Sequence, residues 1–198
     1  MQHDAGMSTD PRVVHLDSAQ LRALSHPLRI RLLGALRLYG PATSTGLAQR
    51  LETNSGATSY HLRTLAQVGL VVEEEGRGTQ RERWWRAAHD ITSWAETQFL
   101  DDPDDRAAAD WLVGYLARAR SRWVNDWLKE RHEWPREWRA AADSSDVTLS
   151  LSPRQLSALN ADLLLVVDRY RRAGAEPEGD MQRVIVLLDT FPSPNLAL

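Results

Sequence analysis

Cysteine is absent from this chain of 198 residues. That one absence excludes disulfides, thiolate metal sites and cysteine redox switches, and it fits a reducing compartment. Lysine is nearly absent too: Lys129 stands alone against 23 arginines. Long apolar runs are lacking, and nothing approaches the ~18 or more residues of a membrane span. The N-terminus, "MQHDAGMSTDPRVV", has no apolar core of the signal-peptide kind. It reads as a disordered tail over residues 1–14, and the expected location is cytoplasmic with no membrane partner. Catalytic signatures are missing as well. There is no Gly-rich phosphate loop, no G-x-S-x-G elbow, no H-E-x-x-H and no spaced carboxylate pair with a basic partner. The expectation is a protein that is not an enzyme and carries no cofactor.

What is present is the composition of a globular protein, 42% hydrophobic and 26% charged. Arginine makes planar two-point contacts with phosphate and with guanine edges, which suits nucleic acid. Codon preference in a GC-rich genome accounts for much of the same bias. Charge placement says more. Leu21 to Asp90 holds ten arginines against six acids, a surplus of four, so the remainder carries −7 of the net −3. A basic segment sits in an acidic chain, and binding responds to the local field.

The first half reads as helices. Leu16 to Leu24 forms a short one, started by Asp17 or Ser18. In "SHPLRIRLLGALRLYG", Ser25 caps, Pro27 suits the first turn, and Gly40-Pro41 stops the helix. "ATSTGLAQRLE" is a third helix. After a tight break at "TN", Asn54 caps a fourth, with Ala57, His61 or Leu62, and Leu65 inward, and Gly69 ends it. Two helices joined by so short a turn are a helix-turn-helix unit. The period then changes. Leu70 to Glu75 and Gln80 to Ala87 are strands around Gly76-Arg77-Gly78, a hairpin of the kind called a wing.

Asp90 to Ser144 is helical again. A long helix starts at Asp104 or Asp105 and runs over Arg106 to Arg131, and Trp134-Pro135 interrupts it. In the last segment, "DVTLSL" alternates as a strand, Ser152 to Gln155 is a capping box, a helix follows, and "RVIVLL" is a second strand. The fold class expected is α+β, mainly α. The expected order is a winged helix-turn-helix domain at 15–90, a helical dimerisation segment at 91–142 and a small C-terminal β-α-β module at 143–198.

"LSHPLRIRLLGAL", "LAQRLETNSGATSYHLRTLAQVGLV", the "GRG" hairpin and "RWWRAA" together resemble a winged helix-turn-helix regulator of the ArsR type, over about Leu16 to Ala88. The resemblance implies a homodimeric transcription factor, most often a repressor, on a palindromic operator in double-stranded DNA. The recognition helix of such a unit enters the major groove by its N-terminal end. Its outward residues are Ser55, Gly56, Ser59, Tyr60 and Arg63. Hydroxyls serve several base edges, Gly56 lets backbone approach, and Arg63 reaches guanine or phosphate. Arg77 at the wing tip, with Arg81 and Arg83 on one strand face, supplies backbone or minor-groove contacts. The competing reading makes them solvated charges bridged to Glu73–Glu75. His61 reads as a packed or capped histidine.

ArsR-type proteins often sense metals. Asp126, Glu130, His132 and Glu133 are the one nitrogen and oxygen set to weigh, but Asp126 and Glu130 equally form a solvated face, and the expectation is no metal. Eight tryptophans are many for this length. Trp111, Tyr115, Trp123 and Trp127 form either a dimer interface or a pocket for a small apolar effector. A third reading is a protein-binding module that kept the fold without DNA, since Glu73-Glu74-Glu75 would repel phosphate.

Overall fold

Each helix of the first half begins at a side chain that caps it. Asp17 accepts from the Gln20 N–H at 2.8 Å while Gln20 accepts back from the Asp17 N–H at 3.2 Å, a complete capping box. Helix α1 then covers Ser18–Leu24. Helix α2, Pro27–Tyr39, is capped by His26, whose Nδ1 accepts from the Leu28 N–H at 3.2 Å. Ser25 instead bonds back to the Arg22 carbonyl, so the expected cap is one residue early. Gly40, at φ +80°, ends α2 in a conformation that glycine adopts without steric cost. Thr43 caps α3, Ser44–Arg50, and Asn54 caps α4, Ser55–Gln67.

The computed structural model describes residues 12–74, 83–173 and 181–192. Two compact units divide the chain, 1–121 and 122–198. In the first, three short strands form an antiparallel sheet. β2 is Ala42–Thr43, β3 is Val71–Glu73 and β4 is Trp84–Ala87, in the order β2-β4-β3. Val71 pairs with Ala87 and Ala42 with Trp85. β3 and β4 are the base of the expected wing. Its tip, with Gly76, Arg77, Gly78 and Arg81, lies outside the described residues.

Three strands were not visible in the sequence. β2 lies where the third helix was expected to begin, and the other two pair with each other, the later one in the stretch expected to be helical from Asp90. β1, Val13–His15, runs parallel to β5, Ile91–Ser93. The tail expected through residue 14 is therefore ordered at its end: Val13 and Val14 are laddered to Ile91 and Thr92. Parallel pairing needs a partner far away in the chain, and three residues carry no readable period. A short 3-10 turn at Glu96–Phe99 precedes helix α5, Pro103–Glu130. Asp102 accepts from the N–H groups of Asp104 and Asp105 at 2.8 and 3.0 Å, and the long helix starts at Pro103, one or two residues ahead of the expected Asp104 or Asp105.

The core of this unit is a leucine cluster drawn from every helix: Leu21, Leu32, Leu47, Leu62 and Leu65, with Leu70 from the turn into β3. Trp85 and Ala87 close it from β4, and Ala108, Ala109 and Leu112 from α5. Arg22 fastens α1 to the start of α5, its Nε 2.5 Å from Asp105 Oδ1 and its Nη2 3.3 Å from Asp102. Hydrogen bonding from Ser18 and Arg22 holds the Asp105 carboxyl below the usual range. On the other side of α2, Arg37 donates to the His89 carbonyl at 3.2 Å and to Thr92 Oγ1 at 2.6 Å, which ties α2 to β5.

The second unit holds the end of α5, a 3-10 turn at Arg131–Glu133, helix α6 at Arg136–Ala141 and helix α7 at Pro153–Ala173. Ser152 and Gln155 form the expected capping box, Ser152 N–H to Gln155 Oε1 at 2.9 Å and Gln155 N–H to Ser152 Oγ at 3.3 Å. Only the helix of the expected β-α-β order is present. Residues 147–151 and 183–188 are not strands in the single chain, and no ladder joins them among the described residues. An alternating pattern marks a segment able to pair, but a strand exists only once a partner edge is supplied.

Candidate nucleic-acid interface

Helix α4 carries the candidate contacts, and its setting follows from its inward face. Thr58, Leu62 and Leu65 are each fully buried, at i, i+4 and i+7. Thr58 takes the place in the core that the sequence reading assigned to Ala57, which is only half-buried. A threonine is tolerated there because its hydroxyl donates to the Asn54 carbonyl at 3.0 Å, so no polar atom is buried unpaired. The Asn54 side chain accepts from the Ala57 N–H at 2.7 Å and fixes the helix start. The turn before it is tight: Glu52 is the one non-glycine residue described with positive φ, at +52°.

With that stripe buried, the opposite face is presented. Ser55, Gly56, Tyr60 and Arg63 are exposed, Tyr60 at 62%, and Ser59 is half-buried. Ser55, Ser59 and Arg63 follow one another at i, i+4 and i+8, and Gly56 and Tyr60 form the adjacent row. The structure thus brings all five predicted α4 residues onto one surface, Ser55 to Tyr60 in the N-terminal half of the helix and Arg63 just past its middle. The N-terminal end also carries the partial positive charge of the helix dipole. A Cβ built on Gly56 meets only Asn54 Oδ1, at 3.4 Å, so the glycine is not demanded by packing within the chain.

Beneath this surface lies a cationic and aromatic cluster that sequence reasoning did not assemble. The His26 and His61 rings are 4.3 Å apart, and Tyr60 packs edge-on to His61 at 5.1 Å. His61 Nδ1 and Arg29 Nε are buried with no hydrogen-bond partner among the described residues. Burial lowers the pKa of His26, with nearby Arg29 adding to it, and burial, His26 and Arg29 lower that of His61. Both shifts favour the neutral ring. The "HP" dipeptide was a visible signal for the cap at α2, but nothing in the sequence pointed it at His61.

At the base of the wing, Arg83 sits 3.8 Å from Glu73 and Arg86 2.6 Å from Glu74. Two of the three acids that argued against DNA are thus engaged by arginines of the neighbouring strand. Arg83 is 67% exposed in that pair, and such exposed bridges contribute only ~0–1 kcal/mol, so phosphate competes with Glu73 on near-equal terms. Arg77 and Arg81 lie outside the described residues.

Trp111 and Tyr115 stack on α5 at 5.3 Å. In the second unit Trp123 is 46% exposed, and Trp127 lies 6.3 Å from Trp134, which in turn meets Trp138 at 6.2 Å. Trp127 also lines a cleft of about 430 Å³ with Arg131, His132, Arg139, Ala142, Asp143 and Ser144. That lining is largely polar and charged, unlike the apolar pocket expected. Among the described residues no group of three or more His, Asp or Glu is gathered around a common point, so Asp126, Glu130, His132 and Glu133 do not converge.

Residues 24–74 match a family model described as a helix-turn-helix domain. That segment runs from the end of α1 to just past β3 and holds the whole candidate surface on α4. This part of the chain is a helix-turn-helix domain, and the β3–β4 pair gives it the winged form. No curated protein sequence matches the chain significantly. Among solved structures, the chain is similar to the homodimeric winged helix-turn-helix DNA-binding domain of a possible ArsR-family regulator from Mycobacterium bovis. Identity is 20%, over 60% of this chain and 85% of that one, with a TM-score of 0.32. It is also similar to a possible transcriptional regulator for arsenical resistance, 25% identical over 65% of this chain and 98% of that one, TM-score 0.31. An ArsR family transcriptional regulator is 21% identical over 54% and 88%, TM-score 0.30. The winged helix-turn-helix assignment rests on the matched segment and on the geometry of α3, α4 and the sheet. No described helix is long and apolar enough to cross a membrane.

Proposed function

We propose that this chain is a sequence-specific DNA-binding transcriptional regulator of the ArsR type, acting as a homodimer, most simply as a repressor on a palindromic operator. The observation that supports it best is the state of α4. Its buried stripe and Asn54 cap anchor it, while Ser55, Gly56 and Tyr60 stand exposed at its N-terminal half and Arg63 just beyond. Apart from the edge-on contact of Tyr60 with His61, that surface faces outward among the described residues, and such a helix enters a major groove by its N-terminal end. Ser55 and Ser59 address base edges, Arg63 reaches guanine or phosphate, and Arg77, Arg81 and Arg83 hold backbone at the wing. The long helix α5 supplies dimer contacts, with Trp123, Val124 and Leu128 each 45–46% exposed.

The test is binding to fragments of the genome that surrounds its own coding region, read by gel shift across a salt series. Arg63→Ala should weaken binding by about 5- to 150-fold, because a bidentate base contact is worth ~1–3 kcal/mol. Unchanged, salt-insensitive binding of that variant would remove the DNA reading.

A second reading concerns an effector. The Trp127 cleft falls within the ~300–1,000 Å³ of small-molecule sites, and Arg131, His132 and Arg139 line it. Its chemistry favours a planar anion over the apolar ligand expected from the tryptophans. Quenching of tryptophan fluorescence by salicylate, absent in Arg139→Ala, is the expected outcome. No response from either protein would dismiss it.

A further inference from the structure

Arg29 is a cation without an anion. On α2, Arg31 donates to the Leu51 carbonyl and Arg37 to the His89 carbonyl and Thr92 Oγ1. Arg29 has no hydrogen-bond or ion-pair partner among the described residues. No carboxylate acts on its charge, and its electrostatic neighbours are His26, Tyr60 and His61. The first turns of α2 and α4 hold no acid either. Taking a cation part-way out of water costs free energy, which a bound anion offsets. Only the Nε of this guanidinium is enclosed. The two Nη groups, unpaired within the described residues, keep their contact with solvent.

The neighbours add donors of a fixed kind. His26 Nδ1 accepts from the Leu28 N–H at 3.2 Å, so the proton of the neutral ring sits on Nε2, and no described residue accepts it. His61 lies against that ring at 4.3 Å, and Tyr60, 62% exposed, brings its hydroxyl to the outer edge of the cluster. Position on α4 selects the anion. Thr58, Leu62 and Leu65 face the core, and Ser55, Gly56, Tyr60 and Arg63 face out. Half-buried His61 therefore marks one flank of the helix and half-buried Ser59 the other. A helix with its side chains is ~10–12 Å across and the major groove ~12 Å wide, so a helix in that groove has a sugar-phosphate strand along each flank. We propose that Arg29, with His26 Nε2–H and the Tyr60 hydroxyl, binds a phosphodiester of the DNA backbone beside α4. The contact comes from the helix before the helix-turn-helix pair, and it positions α4 on the duplex without reading sequence.

The inference rests on the DNA-binding reading, and its test separates the two. Equilibrium binding of the full chain to a fragment it recognises and to unrelated DNA is measured across a salt series, for the wild type, Arg29→Met and Arg29→Lys. Each phosphate contact contributes ~0.9 to the slope of log affinity against log salt. Arg29→Met should lower that slope by about one and weaken binding to both DNAs by the same factor, roughly tenfold or more. Its urea midpoint should hold or rise, since an uncompensated cation has been removed. Arg29→Lys should keep the slope. On the recognised fragment, neutral methylphosphonate at one backbone position should cost the wild type affinity and cost Arg29→Met none. A wild type that binds DNA while Arg29→Met keeps its slope overturns the contact and leaves the DNA reading standing. A loss confined to the recognised fragment overturns it as well. Saturable heat on titrating inorganic phosphate into the wild type but not Arg29→Met, with equal slopes, assigns the site to a free anion instead. Should Arg29→Met misfold, Arg29→Gln takes its place, and misfolding of both makes Arg29 a structural residue and overturns the proposal. No binding to any DNA removes both readings.

Discussion

Asn54 joins the turn of the helix-turn-helix to the surface that faces outward. Its side chain satisfies the Ala57 N–H, and its carbonyl accepts from Thr58 Oγ1, so one residue sets both the first turn of α4 and the satisfied burial of Thr58. Asn54→Ala should cost ~1 kcal/mol, read as a lower urea midpoint, and should weaken DNA binding more than that through fraying of the contact surface. A second residue carries a pH signature. His89 is buried, and burial together with Arg37 lowers its pKa to about 4. Thr92 Oγ1 accepts from Arg37 and keeps its proton to donate to His89 Nε2, 3.3 Å away, which fits a neutral ring. The unfolded chain, with a histidine near its ordinary 6.5, binds the proton first. Stability should therefore be complete above pH 6.5 and fall as the pH drops toward 4. His26 and His61 are shifted in the same direction and add to the slope. Urea midpoints at pH 7 and pH 5 check this: the wild type should lose more between them than His89→Gln does.

At the scale of elements, helix starts and stops were the most legible features. Asp17, Asn54 and Ser152 cap where their side chains suggest, because a cap is a local bond between neighbours in sequence. Gly40 and Gly69 stop helices at positive φ for a similarly local reason. β1 and β5 were not legible, since a three-residue parallel ladder depends on a partner 78 residues away, the same separation as the Arg12–Asp90 bond beside it. Thr58 was passed over because its type suggests a surface, and only its bond to Asn54 makes it core. The outward face of α4 follows from its helical period, but the histidine pair beneath it was not legible, since His26 and His61 meet only through packing of α2 on α4. Gly56 separates the roles of this helix. With only Asn54 Oδ1 near its Cβ position, Gly56→Ala should leave stability unchanged or raise it by up to ~1 kcal/mol, as the helix propensity of alanine predicts. In the DNA-binding reading it should nonetheless lose affinity, because a methyl group stands where backbone approaches the groove. A gel shift and a urea melt on one sample show whether the two effects part.

For the whole molecule, the net charge of −3 is a poor guide to binding. The positive surplus lies in Leu21 to Asp90, the stretch that folds around α4 and the wing, and the acids at 73 and 74 are engaged with Arg83 and Arg86. The sequence showed that asymmetry but not how the acids are engaged, which needs the register of β3 on β4. In the proposed dimer, two copies present two α4 helices to one duplex. Footprinting of bound sites across the genome measures it most directly. The account predicts protected sites with two-fold symmetry and half-sites about one helical turn, ~34 Å, apart, whose occupancy falls steeply as salt rises. Protection spread without sequence preference, or none at all with folded protein, would contradict it.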